Sequence, residues 1–99
     1  MMDIFEQLLA EQTQLNQQRF ELLKSRLQLA TNIYRTTAQW MAFFSELLDD
    51  FDVNTLEKAI VAIDSEPLTK MRIMDTFRIS VSDYIQQAEA ADSRTFNRI

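Results

Sequence analysis

The sequence predicts an all-α protein, a small helical bundle built on one long N-terminal helix and two shorter C-terminal helices. The chain of 99 residues contains Gly 0 and Pro 1. Because β-hairpin turns need residues at positive φ, usually glycine, a chain without glycine is poorly suited to sheets. The 46% hydrophobic and 25% charged residues are typical of a folded domain. We expect a single helical domain over residues 1–90 and a flexible C-terminal tail over residues 91–99.

The first helix is expected to begin near Asp3 and to run far along the chain. No glycine or proline occurs between it and Phe51, and apolar residues recur at every third or fourth position. The β-branched pair Thr36 and Thr37 lowers helix propensity, so we expect a bend or break there. Aspartates on either side of Phe51 oppose the helix dipole and indicate that the helix ends at about that residue.

Two further helices follow. Asn54, with Glu57 as its capping partner, predicts the start of the second helix. Its apolar face comprises Leu56, Ala59, Ile60 and Ile63. Pro67 suits the first turn of a third helix, because its missing N–H would have no helical partner there. The apolar stripe of the third helix comprises Met71, Met74, Phe77, Val81, Tyr84, Ile85 and Ala88.

The apolar residues of the first helix fall into two rows when each residue is turned by about 100°. One row comprises Ile4, Leu15, Leu22, Leu29 and Ile33. The other row comprises Phe5, Leu9, Phe20, Leu23, Leu27 and Tyr34. A helix with two apolar rows contacts two neighbours, as in a helical bundle.

Arg19 and Arg26 lie between the two rows. In a parallel zipper they would face their own copies, at a cost in repulsion and desolvation, so a simple parallel zipper is disfavoured. We interpret them as orienting charges that pair with a carboxylate on a facing helix, with Asp64 and Asp75 as candidates. The alternatives are that both arginines are solvated or that they bind an acidic partner.

The segment from Trp40 to Phe51, WMAFFSELLDDF, forms one broad aromatic and aliphatic face on a helix. It can serve as the core of the chain or as an interface with a partner, since Trp, Phe and Met are enriched at interface centres. The acids on its polar face disfavour insertion into an anionic membrane. The sequence leaves the choice between core and interface open.

Several classes of chemistry are disfavoured by the composition. Cys 0 and His 0 remove the thiolate nucleophile, the imidazole base and the usual zinc or haem ligands, and Gly 0 removes phosphate-binding loops. Residues 50–54 resemble the first half of an EF-hand, but Thr55 and Val61 replace the required Gly and Glu. We therefore predict no enzymatic activity, no cofactor and no metal site.

The net charge of −5 argues against nucleic acid as a partner. No apolar run is long enough to span a membrane and no secretory signal is evident, so we expect a cytoplasmic protein. Basic residues outnumber acidic ones between Arg19 and Arg35, whereas acids dominate between Glu46 and Glu66. This asymmetry could order antiparallel packing in a dimer or attract a basic partner.

The run Leu27-Gln28-Leu29-Ala30, followed by Tyr34 and by Asp52-Val53, resembles the order of similar residues in phasins, the amphipathic helical proteins that coat polyhydroxyalkanoate granules. The resemblance implies binding to an apolar polymer or lipid surface through helix faces, with no catalytic residues.

The leading hypothesis is a non-enzymatic adaptor, chaperone or regulator, expected to be a homodimer with coiled-coil character, that binds another protein through apolar helix faces. The predicted interface residues are Leu15, Leu22, Leu29, Trp40, Phe43, Phe44 and Leu47. The phasin-like coating of an apolar granule is the alternative.

Overall fold

Four α-helices make up the described part of the chain. The structure is a computed structural model that describes the backbone of residues 3–96 and the side chains of residues 3–91. Within that range the elements are α1 (Ile4–Ile33), α2 (Thr37–Asp50), α3 (Val53–Ala62) and α4 (Pro67–Phe96), with no strand. The prediction of an all-α protein is confirmed.

The break between α1 and α2 occurs where the sequence predicts it, but a capping box explains its position. The Thr36 hydroxyl accepts a hydrogen bond from the Gln39 backbone N–H at 3.2 Å. The Gln39 side-chain oxygen in turn accepts from the backbone N–H groups of Thr36 and Arg35, at 3.1 and 2.8 Å. These bonds satisfy N–H groups that have no partner inside a helix, so they stabilise a new helix start at this point.

The start of α3 differs from the prediction by one residue. Asp52 precedes the helix in an extended conformation and accepts a hydrogen bond from the Thr55 hydroxyl. The predicted capping pair of Asn54 and Glu57 is therefore wrong, because Asn54 already lies inside the helix. The predicted apolar face of this helix is confirmed, since all four of its residues are buried: Leu56, Ala59, Ile60 and Ile63.

α4 begins at Pro67, as predicted, but it is 30 residues long. The prediction of two shorter C-terminal helices is thus wrong for α4, which equals α1 in length. Residues 86–91, QQAEAA, are strong helix formers and extend the helix without a large buried face. The helix reaches Phe96, inside the segment predicted as a tail. The flexibility of that tail stays a prediction, and residues 97–99 lie outside the described residues.

One cluster of buried side chains draws on all four helices. Its members are Leu23, Leu27, Ala30, Trp40, Phe43, Phe44, Leu47, Leu56, Ala59, Ile60, Ile63, Ile73 and Phe77. α2 packs against α4, α3 packs against α4, and α1 packs against α3. Within the predicted stripe of α4, Phe77 is buried but Met71 and Ile85 are exposed, and Ile73, which the stripe omits, is buried instead.

Two polar contacts connect distant parts of the chain. The Gln28 side-chain amide on α1 donates to the Asp64 carbonyl oxygen and accepts from the Asp64 N–H, both at 2.8 Å. The Tyr84 hydroxyl on α4 donates to the Asp49 carboxylate at the end of α2, at 2.7 Å. This hydrogen bond is the main reason that the pKa of the Tyr84 hydroxyl is raised above its usual 10.0.

The chain is flat and extended for its size. Its radius of gyration is 17.2 Å, and it measures 53 × 48 × 17 Å. A compact domain of this length has a radius of gyration of about 13 Å. Every residue from Asp3 to Arg19 is exposed. The first half of α1 therefore projects beyond the core, which contacts only the second half of this helix.

Candidate interaction surface

A row of large apolar side chains runs along the outer face of α1. We call it the α1 stripe, and its members are Ile4, Leu8, Leu15, Leu22, Leu29 and Ile33. Their exposed fractions range from 55% for Leu15 to 73% for Ile4. Because an α-helix rises 1.5 Å per residue, the stripe is about 44 Å long. Spacings of four and seven residues place its members within a narrow arc of the helix.

The side of α1 that adjoins the stripe and carries the second apolar row packs against the rest of the chain. Leu23, Leu27 and Ala30 are buried, and Phe20 is partly buried against the core. These residues belong to the second apolar row or lie beside it. The core thus covers the second half of one row and leaves the other row exposed along its whole length. Exposed contiguous apolar surface of this kind is unusual in monomeric proteins and marks interaction sites.

The structure divides the predicted interface residues into two groups. Leu15, Leu22 and Leu29 lie on the α1 stripe and are accessible. The other four belong to α2 and are buried in the core: Trp40, Phe43, Phe44 and Leu47. Of the alternatives that the sequence left open for the aromatic segment, the structure shows the core. Of the predicted interface residues, only these three leucines are accessible to a partner.

Ring contacts explain why the aromatic segment turns inward. The Phe44 ring lies 5.2 Å from the Phe77 ring, centroid to centroid, at an interplanar angle of 65°. Trp40 lies 5.5 Å from Phe44, and Tyr34 lies 5.2 Å from Phe43. Aromatic pairs at such distances add to the stabilisation from burial. The cluster joins α2 to α4 and to the end of α1.

Arg19 and Arg26 contact aromatic rings of the same chain. The Arg19 guanidinium lies 5.3 Å from the centre of the Phe51 ring. The Arg26 guanidinium lies 5.7 Å from that of Phe43. Cation–π contacts at exposed sites are worth about 0.5–1 kcal/mol. The sequence pattern did not predict these cation–π contacts. The rings belong to α2 and its C-terminal end, and only the tertiary structure brings them close to α1.

The predicted carboxylate partners of these arginines have other contacts. Asp64 hydrogen-bonds Gln28 through its backbone, and the Asp75 carboxylate lies 3.9 Å from the Arg78 guanidinium. Among the described side chains, neither Arg19 nor Arg26 forms an ion pair within the chain. Their role as orienting charges stays a prediction, and none of the described carboxylates of the chain pairs with them.

The first half of α1 exposes more apolar surface than the stripe alone. Phe5 and Leu9 of the second row are exposed as well, because that row continues past the point where α3 covers it. Near the start of the helix, both rows are therefore open to a partner. Hydrophobic periodicity identifies the two rows from the sequence, but it cannot say which part of each row the chain itself covers.

A cleft of about 290 Å³ lies beside the α1–α2 break. Its polar lining includes Arg35, Arg72 and the hydroxyls of Thr36, Thr37 and Thr69, which can donate hydrogen bonds to an anion. Its described lining residues include no carboxylate. In residues 3–91, no group of three or more His, Cys, Asp or Glu side chains could hold a metal ion.

No described helix combines the length and the hydropathy that a bilayer span requires. No protein-family model, no curated protein and no solved structure matches the chain.

Proposed function

We propose that this chain is a non-enzymatic helical interaction protein, of the adaptor, chaperone or regulator kind, that binds a protein partner through the exposed apolar face of α1. The observation that carries the proposal is the α1 stripe, in which every large apolar side chain is more than half exposed along about 44 Å of helix. Burial of apolar surface is the main driving force of protein association.

The position of the stripe supports a role in binding. The stripe lies on a helix whose other face is fixed to the core by Leu23 and Leu27, so its second half is held rigid before a partner arrives. Preorganisation of this kind lowers the entropic cost of association. The first half projects freely and offers access from several directions.

A double variant of the stripe tests the proposal. Leu15→Gln with Leu22→Gln keeps the helix propensity and removes apolar surface at the centre of the stripe. The control is Leu68→Gln on α4, where the leucine is 71% exposed but outside the stripe. Each protein is used as bait in extracts of its native host, and the captured proteins are quantified.

We expect the wild type and the Leu68→Gln control to retain the same stoichiometric partner, which can be another protein or untagged copies of the chain, and the double variant to lose it. Circular dichroism of all three proteins checks that the fold is intact. Equal capture by a folded double variant would overturn the proposal.

A phasin-like role is the second candidate, favoured by the exposure of Ile4, Phe5, Leu8 and Leu9 within one stretch of helix. Such a dense apolar end suits a polymer or lipid surface. The assay is sedimentation with polyhydroxyalkanoate particles coated with phospholipid. Saturable binding together with an increase in the helix content of the protein supports this role. A protein that stays in the supernatant excludes it.

A further inference from the structure

The α1 stripe is symmetric about the midpoint of its helix. Taken from the point between Gln18 and Arg19, each apolar member on one side has an apolar counterpart at the same distance on the other side. The pairs are Leu15 with Leu22, Leu8 with Leu29 and Ile4 with Ile33. A second copy of α1, running antiparallel with its midpoint at the same level, would place each member against its counterpart.

The charged residues within the same arc of the helix are also placed symmetrically about this midpoint, and they carry opposite charges on its two sides. Glu11 and Arg26 are equidistant from the midpoint and lie within the arc of the stripe. In the antiparallel arrangement each Glu11 faces the Arg26 of the second copy, and two-fold symmetry repeats the pair. In a parallel arrangement Glu11 would face Glu11 and Arg26 would face Arg26, so like charges would oppose each other.

The wider charge distribution of α1 favours the same orientation. The first half carries Asp3, Glu6 and Glu11, and the second half carries Arg19, Lys24 and Arg26 against Glu21. Antiparallel pairing brings the acidic half of one helix beside the basic half of the other. In this arrangement the dipoles of the two helices also point in opposite directions.

The two central charges of the stripe are available to a partner. Among the described side chains neither Glu11 nor Arg26 forms an ion pair within the chain, and both are exposed. The contact with the Phe43 ring holds the Arg26 guanidinium at the edge of the stripe. Arg26 can therefore pair with a carboxylate from outside without breaking an ion pair within the chain.

The projecting half of α1 also needs support. From Asp3 to Arg19 every residue is exposed, whereas most of the stability of a helix in a protein comes from tertiary packing of its apolar face. In the antiparallel pair, the projecting half of each copy packs against the second half of the other, which its own core holds in place. Each copy thus supplies the tertiary contacts that the other lacks.

From this symmetry we infer that the α1 stripe binds α1 of a second copy of the chain, antiparallel, with the two-fold axis between Gln18 and Arg19. This inference rests on the proposed function, because it names the partner of the same surface. The interface is isologous, so each contact occurs twice and the assembly closes at two copies.

Disulfide cross-linking tests the relative orientation of the two α1 helices. The chain has no cysteine of its own, so only the introduced cysteines can form disulfides. Glu11→Cys and Arg26→Cys are prepared separately, mixed at equal concentration and oxidised. Non-reduced peptides are then identified by mass spectrometry. We expect the disulfide between positions 11 and 26 to predominate in the mixture, and each variant alone to form little cross-linked dimer. Disulfides joining 11 to 11 and 26 to 26 would overturn the inference, because they indicate parallel chains.

Charge reversal tests the contact itself. Glu11→Arg or Arg26→Glu alone is expected to raise the dimer dissociation constant by about tenfold, whereas the combined variant should recover most of the affinity. Light scattering over a range of concentrations measures the mass, and circular dichroism checks the fold. Absence of recovery in the combined variant, with all three proteins folded, would contradict the pairing.

The two proposals fail in different ways. A wild-type chain that stays at 11.6 kDa at all concentrations overturns the antiparallel dimer. If the same monomer still loses a captured protein through Leu15→Gln with Leu22→Gln, the proposed function stands with a different partner. If neither dimerisation nor capture depends on the stripe, both proposals are overturned.

Discussion

Replacing Phe44 with alanine tests whether the aromatic face of α2 is held inside the core. Phe44 has an exposed fraction of 0%. Its ring centroid lies 5.2 Å from that of Phe77 and 5.5 Å from that of Trp40. The substitution removes the ring at the centre of this cluster and leaves a cavity between α2 and α4.

The expected cost follows from burial and from the lost ring contacts. A fully buried Phe→Ala change costs about 3–5 kcal/mol, which includes the cavity left behind. The ring contacts of Phe44 with aromatic neighbours place the value in the middle of this range, at about 4 kcal/mol. For a domain of about 100 residues, a loss of that size lowers the midpoint of thermal unfolding by about 20 °C.

Thermal unfolding followed by circular dichroism at 222 nm measures this change. The control is Leu68→Ala, because Leu68 is also on a helix but is 71% exposed and lies outside the surfaces proposed to bind a partner. We expect the control to change the free energy of unfolding by less than about 0.5 kcal/mol. If both variants unfold within a few degrees of each other, Phe44 is not a core residue and the assignment of the aromatic face to the core is refuted.

Two polar contacts yield further predictions. Gln28→Ala removes both hydrogen bonds to the Asp64 backbone and is expected to cost about 1–2 kcal/mol in urea unfolding, whereas Gln17→Ala, at an exposed position of the same helix, should be nearly neutral; equal effects would contradict the role of the Gln28 contact. Tyr84→Phe removes the hydrogen bond to Asp49, whose carboxylate raises the pKa of Tyr84. Because the neutral hydroxyl is favoured in the folded state, its contribution is fully present below the usual pKa of 10.0 and is lost as the pH rises through the raised pKa. The difference in unfolding free energy between wild type and variant should therefore shrink above about pH 10, and a difference that stays constant with pH would contradict this account.

Local signals in the sequence predicted the helices well. The lack of glycine, the periodic apolar residues and Pro67 led to the right fold class, the right start of α4 and the right place for the break after α1. The misplaced start of α3 has a local cause, since Asp52 and Asn54 are both good N-cap residues. The length of α4 was underestimated because its last turns bury little, and an apolar stripe therefore gives no indication of where this helix ends.

Contacts between helices could not be read from the sequence. The Gln28 contact spans 36 positions to Asp64, and no pattern along either segment indicates it. The same holds for Arg19 and Arg26, which were expected to find carboxylates but lie over the rings of Phe51 and Phe43. Which side chain a long polar residue contacts depends on how helices cross, and that is a property of the folded chain.

The sequence by itself determined that this protein is helical and that α1 has two apolar rows, because periodicity at 3.6 residues per turn is a local property of the chain. Only the tertiary structure decided how each row is used. Both the aromatic face of α2 and the stripe through Leu22 are apolar enough to be core or interface. The core formed around Phe44 and Phe77, and α3 covered one side of α1. The hydrophobic effect has no preferred direction, so the connections between helices decide which apolar faces meet and become buried. The α1 stripe points away from α3 and therefore remains exposed.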